Sequence, residues 1–121
     1  MSLVKIGVTI GLALAIGFAM AKAEEKVTMI GAGNNSCGAW TAAKSSGKRI
    51  EYVGWLLGYA TGVNVEKGAA RDVLKDTDAD AIVGWMDNFC ANAPLVRIEM
   101  AAEALIGELM LQQQPRLQPP R

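Results

Sequence analysis

The segment from residue 52 to residue 64 constrains the fold most, because its side chains are apolar or small on almost every side of a helix. Its aromatic and aliphatic residues recur at spacings of three and four and share one face. Gly54, Gly58 and Gly62 form a stripe on the opposite face. Each glycine inside a helix costs roughly 1 kcal/mol relative to alanine, so the stripe indicates that another backbone approaches it closely. We therefore predict a central, buried helix with tight packing against its glycines.

Residues 1–23 are typical of a secretory signal peptide. Lys5 provides a short positive region, residues 6–20 are uncharged and apolar, and residues 19–21 and 21–23 both fit a small-x-small cleavage site. The apolar run is shorter than the roughly 20 residues that span a membrane, so a retained anchor is the weaker interpretation. We therefore predict a periplasmic protein whose mature form, beginning at Glu24, is not embedded in a membrane.

Charge and composition exclude several classes of function. The full chain has 12 basic and 12 acidic residues, and cleavage removes Lys5 and Lys22, which leaves a net charge of −2. No basic excess is left to bind nucleic acid. The chain has no histidine, which is the commonest general base and metal ligand. We therefore predict a non-enzymatic protein with no catalytic residues, no cofactor and no metal, which acts by binding other proteins.

Cys37 and Cys90 are the only two cysteines of the chain. An oxidising compartment favours joining them in a disulfide bond. The bond would close a loop of about 54 residues, for which the chain-entropy model gives roughly 4 kcal/mol of stabilisation. A reactive thiol is the alternative, but no histidine is present to activate it. We therefore predict a stabilising disulfide.

The apolar periodicity predicts an all-α fold, a small disulfide-linked helical domain of three main helices plus a short N-terminal helix. Thr77 is the predicted N-cap of the third helix, because Asp80 stands three residues on, as in a capping box. Pro94 suits the first turn of the last helix. The predicted helices cover residues 37–44, 48–65, about 76–90 and 94–111. An irregular lead-in (24–36) precedes the helical domain (37–111), and a disordered, Gln/Pro-rich tail (112–121) follows it.

Aromatic side chains mark the predicted core. The three tryptophans are most simply buried inside the domain, and the alternative is that one of them lies in an apolar interface with another protein. The aromatic residues assigned either to the core or to the binding of client proteins are Trp40, Tyr52, Trp55, Tyr59, Trp85 and Phe89.

The cysteine placement, the motif Cys37-x-x-Trp40, the glycine-bearing helix and the amphipathic helix after Cys90 together resemble the HdeA-type periplasmic acid-stress chaperones. The resemblance covers roughly residues 36–109. It implies a small exported helical protein that is a folded homodimer near neutral pH and exposes apolar surface to unfolded client proteins in acid. The C-terminal segments differ, because those chaperones end in lysine-rich segments.

A second resemblance is to the Tai-type immunity proteins, which neutralise type VI secreted amidases. It rests on Gly58-Tyr59-Ala60-Thr61-Gly62, which matches a Gly-Tyr-x-x-Gly stretch of those proteins. Residues 94–109, a proline followed by an alanine-bearing helix, also resemble the corresponding segment of those proteins. This resemblance implies an immunity or inhibitor protein that plugs an amidase with a fixed surface, for which the loops of residues 64–75 are candidates.

Carboxylates are the candidate pH sensors, because the chain has no histidine. Near pH 2 most acidic groups are neutral, and the net charge of the mature chain rises from −2 towards about +10, so that self-repulsion loosens the fold and releases apolar segments. Asp76, Asp78 and Asp80 partly follow a calcium-loop pattern, but Ala81 replaces its glycine, so no metal site is predicted. The candidate pH-sensing residues are Asp72, Asp76, Asp78, Asp80 and Asp87.

Overall fold

A computed structural model describes residues 27–114 of the chain. The predicted signal peptide (1–23), the beginning of the lead-in (24–26) and the tail from residue 115 onward lie outside the described residues. Residues 27–114 form four α-helices and no β-strand. One short 3-10 turn (Ala32–Asn34) precedes α1, and another (Ala69–Arg71) follows α2. The helices are α1 (Cys37–Ala43), α2 (Arg49–Lys67), α3 (Ala79–Asn92) and α4 (Ile98–Gln113). The predicted all-α domain of three main helices and a short first one is confirmed.

A disulfide bond between Cys37 and Cys90 joins the first residue of α1 to the last turn of α3. Both cysteines are completely buried. The predicted disulfide is therefore confirmed, and it lies within the apolar core, where it holds α1 and α3 together.

Side-chain capping sets the starts of α1 and α3. The Oγ atom of Ser36 accepts a hydrogen bond from the Ala39 amide, 3.2 Å away. The Oδ1 atom of Asp78 accepts one from the Ala81 amide at 2.8 Å. Asp78 has the extended backbone of an N-cap (φ −129°, ψ 172°), and its charge suits the positive end of the helix dipole. The prediction that Thr77 caps α3 is therefore wrong by one residue.

The link between α3 and α4 runs alongside the start of α1. The carbonyl of Pro94 accepts a hydrogen bond from the Gly38 amide at 2.9 Å, and that of Val96 accepts one from the Cys37 amide at 2.7 Å. These bonds satisfy the free amides of the first turn of α1 and hold the link in a non-helical conformation. The prediction that α4 begins at Pro94 is therefore wrong. At the other end α4 continues to Gln113, past the predicted boundary of the tail.

The core lies where all four helices meet. Four of the largest buried side chains, one from each helix, have no solvent exposure, and they are Trp40, Leu56, Met86 and Ile98. Ala101 and Ala102 of α4 are also buried, and their small side chains let α4 approach the other helices closely. Burial of these apolar side chains is the main source of stability, at about 25 cal/mol for each Å² removed from water.

The glycine stripe lies on the surface of the domain. Gly54, Gly58 and Gly62 are exposed, and a β-carbon added at any of them meets no described atom within 4 Å. Only one narrow face of α2 is buried, formed by Tyr52, Leu56 and Ala60. The predictions of a buried central helix and of a close approach to these glycines are therefore wrong for residues 27–114. The larger side chains turn inward because they have apolar area to bury, whereas glycines have almost none.

The close approach that requires a glycine occurs in the lead-in. A β-carbon at Gly33 would stand 2.1 Å from the Cζ2 atom of Trp55, which is closer than atoms can pack. The Trp55 indole packs against the 3-10 turn of residues 32–34 and donates a hydrogen bond to the carbonyl of Ile30 at 3.0 Å. Gly33 therefore ties the lead-in to α2.

Candidate functional site

One carboxylate of α3, that of Asp87, receives hydrogen bonds from three side chains of other segments. The Nε1 atom of Trp40 donates to its Oδ1 atom at 2.7 Å. The Nη2 atom of Arg49 lies 2.9 Å from its Oδ2 atom, and the Nζ atom of Lys44 lies 3.1 Å from the same oxygen. We call Trp40, Lys44, Arg49 and Asp87 the Asp87 cluster.

The cluster joins three helices of the domain. Trp40 is a fully buried residue of α1, and Lys44 directly follows that helix. Arg49 is the first residue of α2. Because Asp87 lies in the middle of α3, its carboxylate connects α1 and α2 to α3 through charged hydrogen bonds, which are among the strongest in proteins.

The Arg49 guanidinium depends on this environment. Its Cζ atom lies 5.0 Å from the centroid of the Trp40 ring, within the range of a cation–π interaction. Its Nη1 atom is buried and has no hydrogen-bond partner among residues 27–114. The positive charge of Arg49 is therefore balanced chiefly by Asp87 and by the face of the tryptophan ring.

The cluster lowers the pKa of Asp87 to about 2, from an ordinary value of 3.8. Partial burial acts in the opposite direction and raises the pKa, because it disfavours the charged carboxylate. The hydrogen bonds from Arg49, Trp40 and Lys44 and the charge of Arg49 outweigh the burial. Asp87 therefore stays ionised until the solution becomes strongly acidic.

The other four candidate pH sensors lie outside the cluster. Asp72 accepts hydrogen bonds from the Asn64 side chain at 2.8 Å and from the Leu74 amide at 3.2 Å. Asp78 caps α3, and Asp80 is exposed in the first turn of that helix. Asp76 lies in the preceding loop with a positive φ of 63°. Of the five candidates, only Asp87 is brought into contact with cationic side chains in this cluster.

The predicted aromatic residues fall into a core pair and two surface pairs. Trp40 and Tyr52 are buried and meet edge to face, with ring centroids 6.4 Å apart. Trp55 stacks on Tyr59 at 5.3 Å along α2, and Trp85 stacks on Phe89 at 5.1 Å along α3. The members of these two pairs are half-buried. The structure therefore assigns two of the six aromatics to the buried core and leaves four at its edge.

Tyr59 has a second distinctive feature, because its pKa is raised above the ordinary value. Burial is the largest cause, and the negative charges of Glu103 and Glu99 on α4 add to it. Tyr59 is therefore a neutral phenol at physiological pH, and its ring serves to pack α2 against α4.

Large apolar side chains are also exposed away from the aromatic pairs. Ile50 and Val65 stand on the outer face of α2, with 83% and 74% of their surface exposed. Met100 and Met110 project from α4, and Leu95 lies exposed in the link before it. Large apolar side chains are thus exposed on α2, on α4 and in the link before α4.

Sequence reasoning did not identify Lys44 and Arg49, the two cationic members of the cluster. One signal could have indicated Arg49, because Lys48-Arg49 places two cations at the start of a helix, where the dipole disfavours positive charge. A carboxylate from elsewhere in the fold would offset the unfavourable interaction between these cations and the helix dipole. The partner itself could not be read from the sequence, since Asp87 is 38 residues away.

Two further features of residues 27–114 bear on other functions. No group of three or more cysteine, aspartate or glutamate side chains is arranged to hold a metal ion in this range. No helix in the same range has the length and apolar character needed to cross a bilayer.

A scan against protein-family models, a search of curated proteins and a search of solved structures each found no match to the chain.

Proposed function

We propose that this chain is an exported acid-stress protein that binds unfolded client proteins through apolar helical segments when acid loosens its fold. The observation that carries the proposal is the convergence of Trp40, Lys44 and Arg49 on the single carboxylate of Asp87. This carboxylate connects three helices through charged hydrogen bonds, and the pH determines whether it carries its negative charge. The resemblance to HdeA-type chaperones supports the same function.

The sign of the pH effect follows from the lowered pKa. A carboxylate with a lower pKa in the folded state than in the unfolded state stabilises the fold above its unfolded value, here 3.8. That stabilisation decreases below pH 3.8 and is lost as the pH falls through about 2, because the carboxyl group is then protonated in the folded state as well as in the unfolded state. Because Asp87 is partly exposed, solvent screens its charge and reduces the contribution that the pKa difference implies. The free energy of unfolding therefore falls by about 1 to 2 kcal/mol when Asp87 is protonated.

Protonation also leaves two cations without their counter-ion. Lys44 and Arg49 both contact the same Asp87 oxygen, so the neutral acid leaves their positive charges unbalanced at the junction of α1 and α2. The Cys37–Cys90 bond still joins α1 to α3. We therefore expect α2 to separate first and to expose the buried side chains of Tyr52 and Leu56.

The test uses light scattering from an aggregation-prone client protein that is shifted to about pH 2, with and without the oxidised chain from residue 24 onward. We expect suppression of aggregation at a near-stoichiometric ratio at that pH and none at pH 7. Absence of suppression in acid would overturn the proposal. Equal suppression at pH 7 would show a binding surface that acid does not control.

The variant Asp87→Asn tests whether the charge of the Asp87 carboxylate controls the opening. Its amide carries no negative charge at any pH, so the fold lacks the contribution of Asp87 throughout and needs less protonation of its other carboxylates to open. We therefore expect aggregation to be suppressed already at about pH 4, where the native chain is still closed. We expect Asp80→Asn, a matched change at an exposed position of the same helix, to behave as the native chain does. If both variants shifted the pH dependence equally, total charge would control the opening and the cluster would not.

A second candidate, an immunity or inhibitor protein for a secreted amidase, is favoured by the rigidity of the loop between α2 and α3. Asn64 holds this loop through both ends of its amide, because it donates to Asp72 at 2.8 Å and accepts from the Val73 amide at 2.8 Å. Gln113 of α4 donates to the Asp72 carbonyl at 2.9 Å. A loop that is held in one conformation loses little entropy on binding.

This second function predicts tight binding at neutral pH. Titration of a purified type VI amidase effector with the chain at pH 7 would then give stoichiometric inhibition. Asn64→Ala, which releases the loop, would weaken the inhibition, whereas Asn92→Ala at the end of α3 would not. Full amidase activity in an excess of the native chain would contradict this function for the effector tested.

A further inference from the structure

A cleft of about 260 Å³ lies where the C-terminal ends of α2 and α4 meet the 3-10 turn of residues 69–71. It is separate from the Asp87 cluster and shares no residue with it. We call it the C-terminal cleft, and its lining residues are Lys67, Ala70, Arg71, Val73, Met110, Gln113 and Gln114.

The floor of the cleft is apolar. Val73 is buried and packs with Ala60 and Ile106 in a small satellite of the core. Met110 leaves 44% of its surface exposed beside it. Methionine has a flexible, polarisable side chain that adapts to irregular apolar ligands. An unbranched hydrocarbon chain laid on this floor would therefore contact apolar side chains that are continuous with the domain interior.

The rim of the cleft is positively charged. Lys67 and Arg71 are its only charged lining residues, although the mature chain is predicted to be acidic overall. Neither cation forms an ion pair with any residue from 27 to 114. The neighbouring carboxylate, Asp72, accepts hydrogen bonds from Asn64 and from the Leu74 amide. The two cations at the rim are thus available to an external anion.

We propose that the C-terminal cleft binds an amphiphile with one carboxylate head and an unbranched apolar tail, that is, a fatty acid of medium chain length. The carboxylate pairs with Lys67 and Arg71, since guanidinium and ammonium groups are the natural partners of carboxylates. The tail lies over Val73 and Met110. The two halves of the ligand match the two halves of the site, a cationic rim and an apolar floor.

The experiment is isothermal titration of the oxidised chain from residue 24 onward with decanoate at pH 7.5, below the concentration at which decanoate forms micelles. We expect saturable binding of one decanoate per chain. Decanol lacks the charge and acetate lacks the tail. We expect each of them to bind at least about tenfold more weakly than decanoate. No binding of decanoate, or equal binding of decanol, would overturn the proposal.

Variants locate the site. Lys67→Gln with Arg71→Gln should weaken decanoate binding by about tenfold or more, and Met110→Glu should abolish it by placing a negative charge on the exposed part of the floor. Lys48→Gln, at the opposite end of α2, is the matched control and should bind as the native chain does. Unchanged binding by the double variant would overturn the proposal. A chain that ends at Gln114 and binds decanoate far more tightly than the longer chain would also overturn it, because residues 115–121 would then be the occupant.

Discussion

Replacing Cys37 and Cys90 together with alanine is expected to lower the free energy of unfolding by about 4 kcal/mol. The disulfide joins residues 53 positions apart, so its removal restores much conformational freedom to the unfolded chain. Small domains have total stabilities of about 5 to 15 kcal/mol, and the loss is therefore a large fraction of the whole. Urea unfolding of the double variant and of the native chain at pH 7 measures the difference.

Reduction of the native chain provides the control for this experiment. Both cysteines are completely buried, so the reduced native chain keeps the packing volume of both sulfur atoms and should lose slightly less stability than the alanine variant. A difference below about 1 kcal/mol between the oxidised and reduced chains would show that strain in the folded state offsets the entropic gain.

Replacing Trp40 with alanine should have a comparable effect, a loss of about 3 to 5 kcal/mol. The indole is fully buried in the core, so the variant leaves a large cavity. It also removes the Nε1 donor to Asp87 and the ring beneath Arg49. Urea unfolding at pH 7 measures the loss, and Trp85→Ala is the matched control because Trp85 is only half-buried.

A smaller change separates packing from hydrogen bonding at the same position. Trp40→Phe retains most of the apolar contact but has no Nε1–H donor, so it should cost about 1 kcal/mol through the lost hydrogen bond, in addition to the loss of ring volume. A cost for Trp40→Ala no larger than that for Trp85→Ala would contradict the central position of Trp40 in the core.

The organisation of the domain into helices could be predicted from local pattern. The apolar spacing along residues 49–67 and 98–113 is that of helices, and four helices are observed. The boundaries were less accurate, because competing local contacts set them. Asp78 caps α3 in place of Thr77. The carbonyls of Pro94 and Val96 accept hydrogen bonds from backbone amides of α1, so α4 begins later than predicted.

The candidate site was predicted only in part. Asp87 was one of five carboxylates that the sequence could not rank, because what separates it from Asp80 is contact with Trp40, Lys44 and Arg49. These contacts join residues up to 47 positions apart. The C-terminal cleft had no sequence signature, since it is assembled from α2, the loop after it and the end of α4.

The sequence by itself determined the class of the fold and its covalent cross-link. Helical periodicity is a local property, and two cysteines allow only one intrachain pairing. Only the tertiary structure decided that the glycine stripe of α2 faces outward, and only it brought the cations of α1 and α2 to Asp87. The physical reason is that burial and charge pairing depend on how distant segments meet, and the total apolar area buried by all four helices together selects that arrangement.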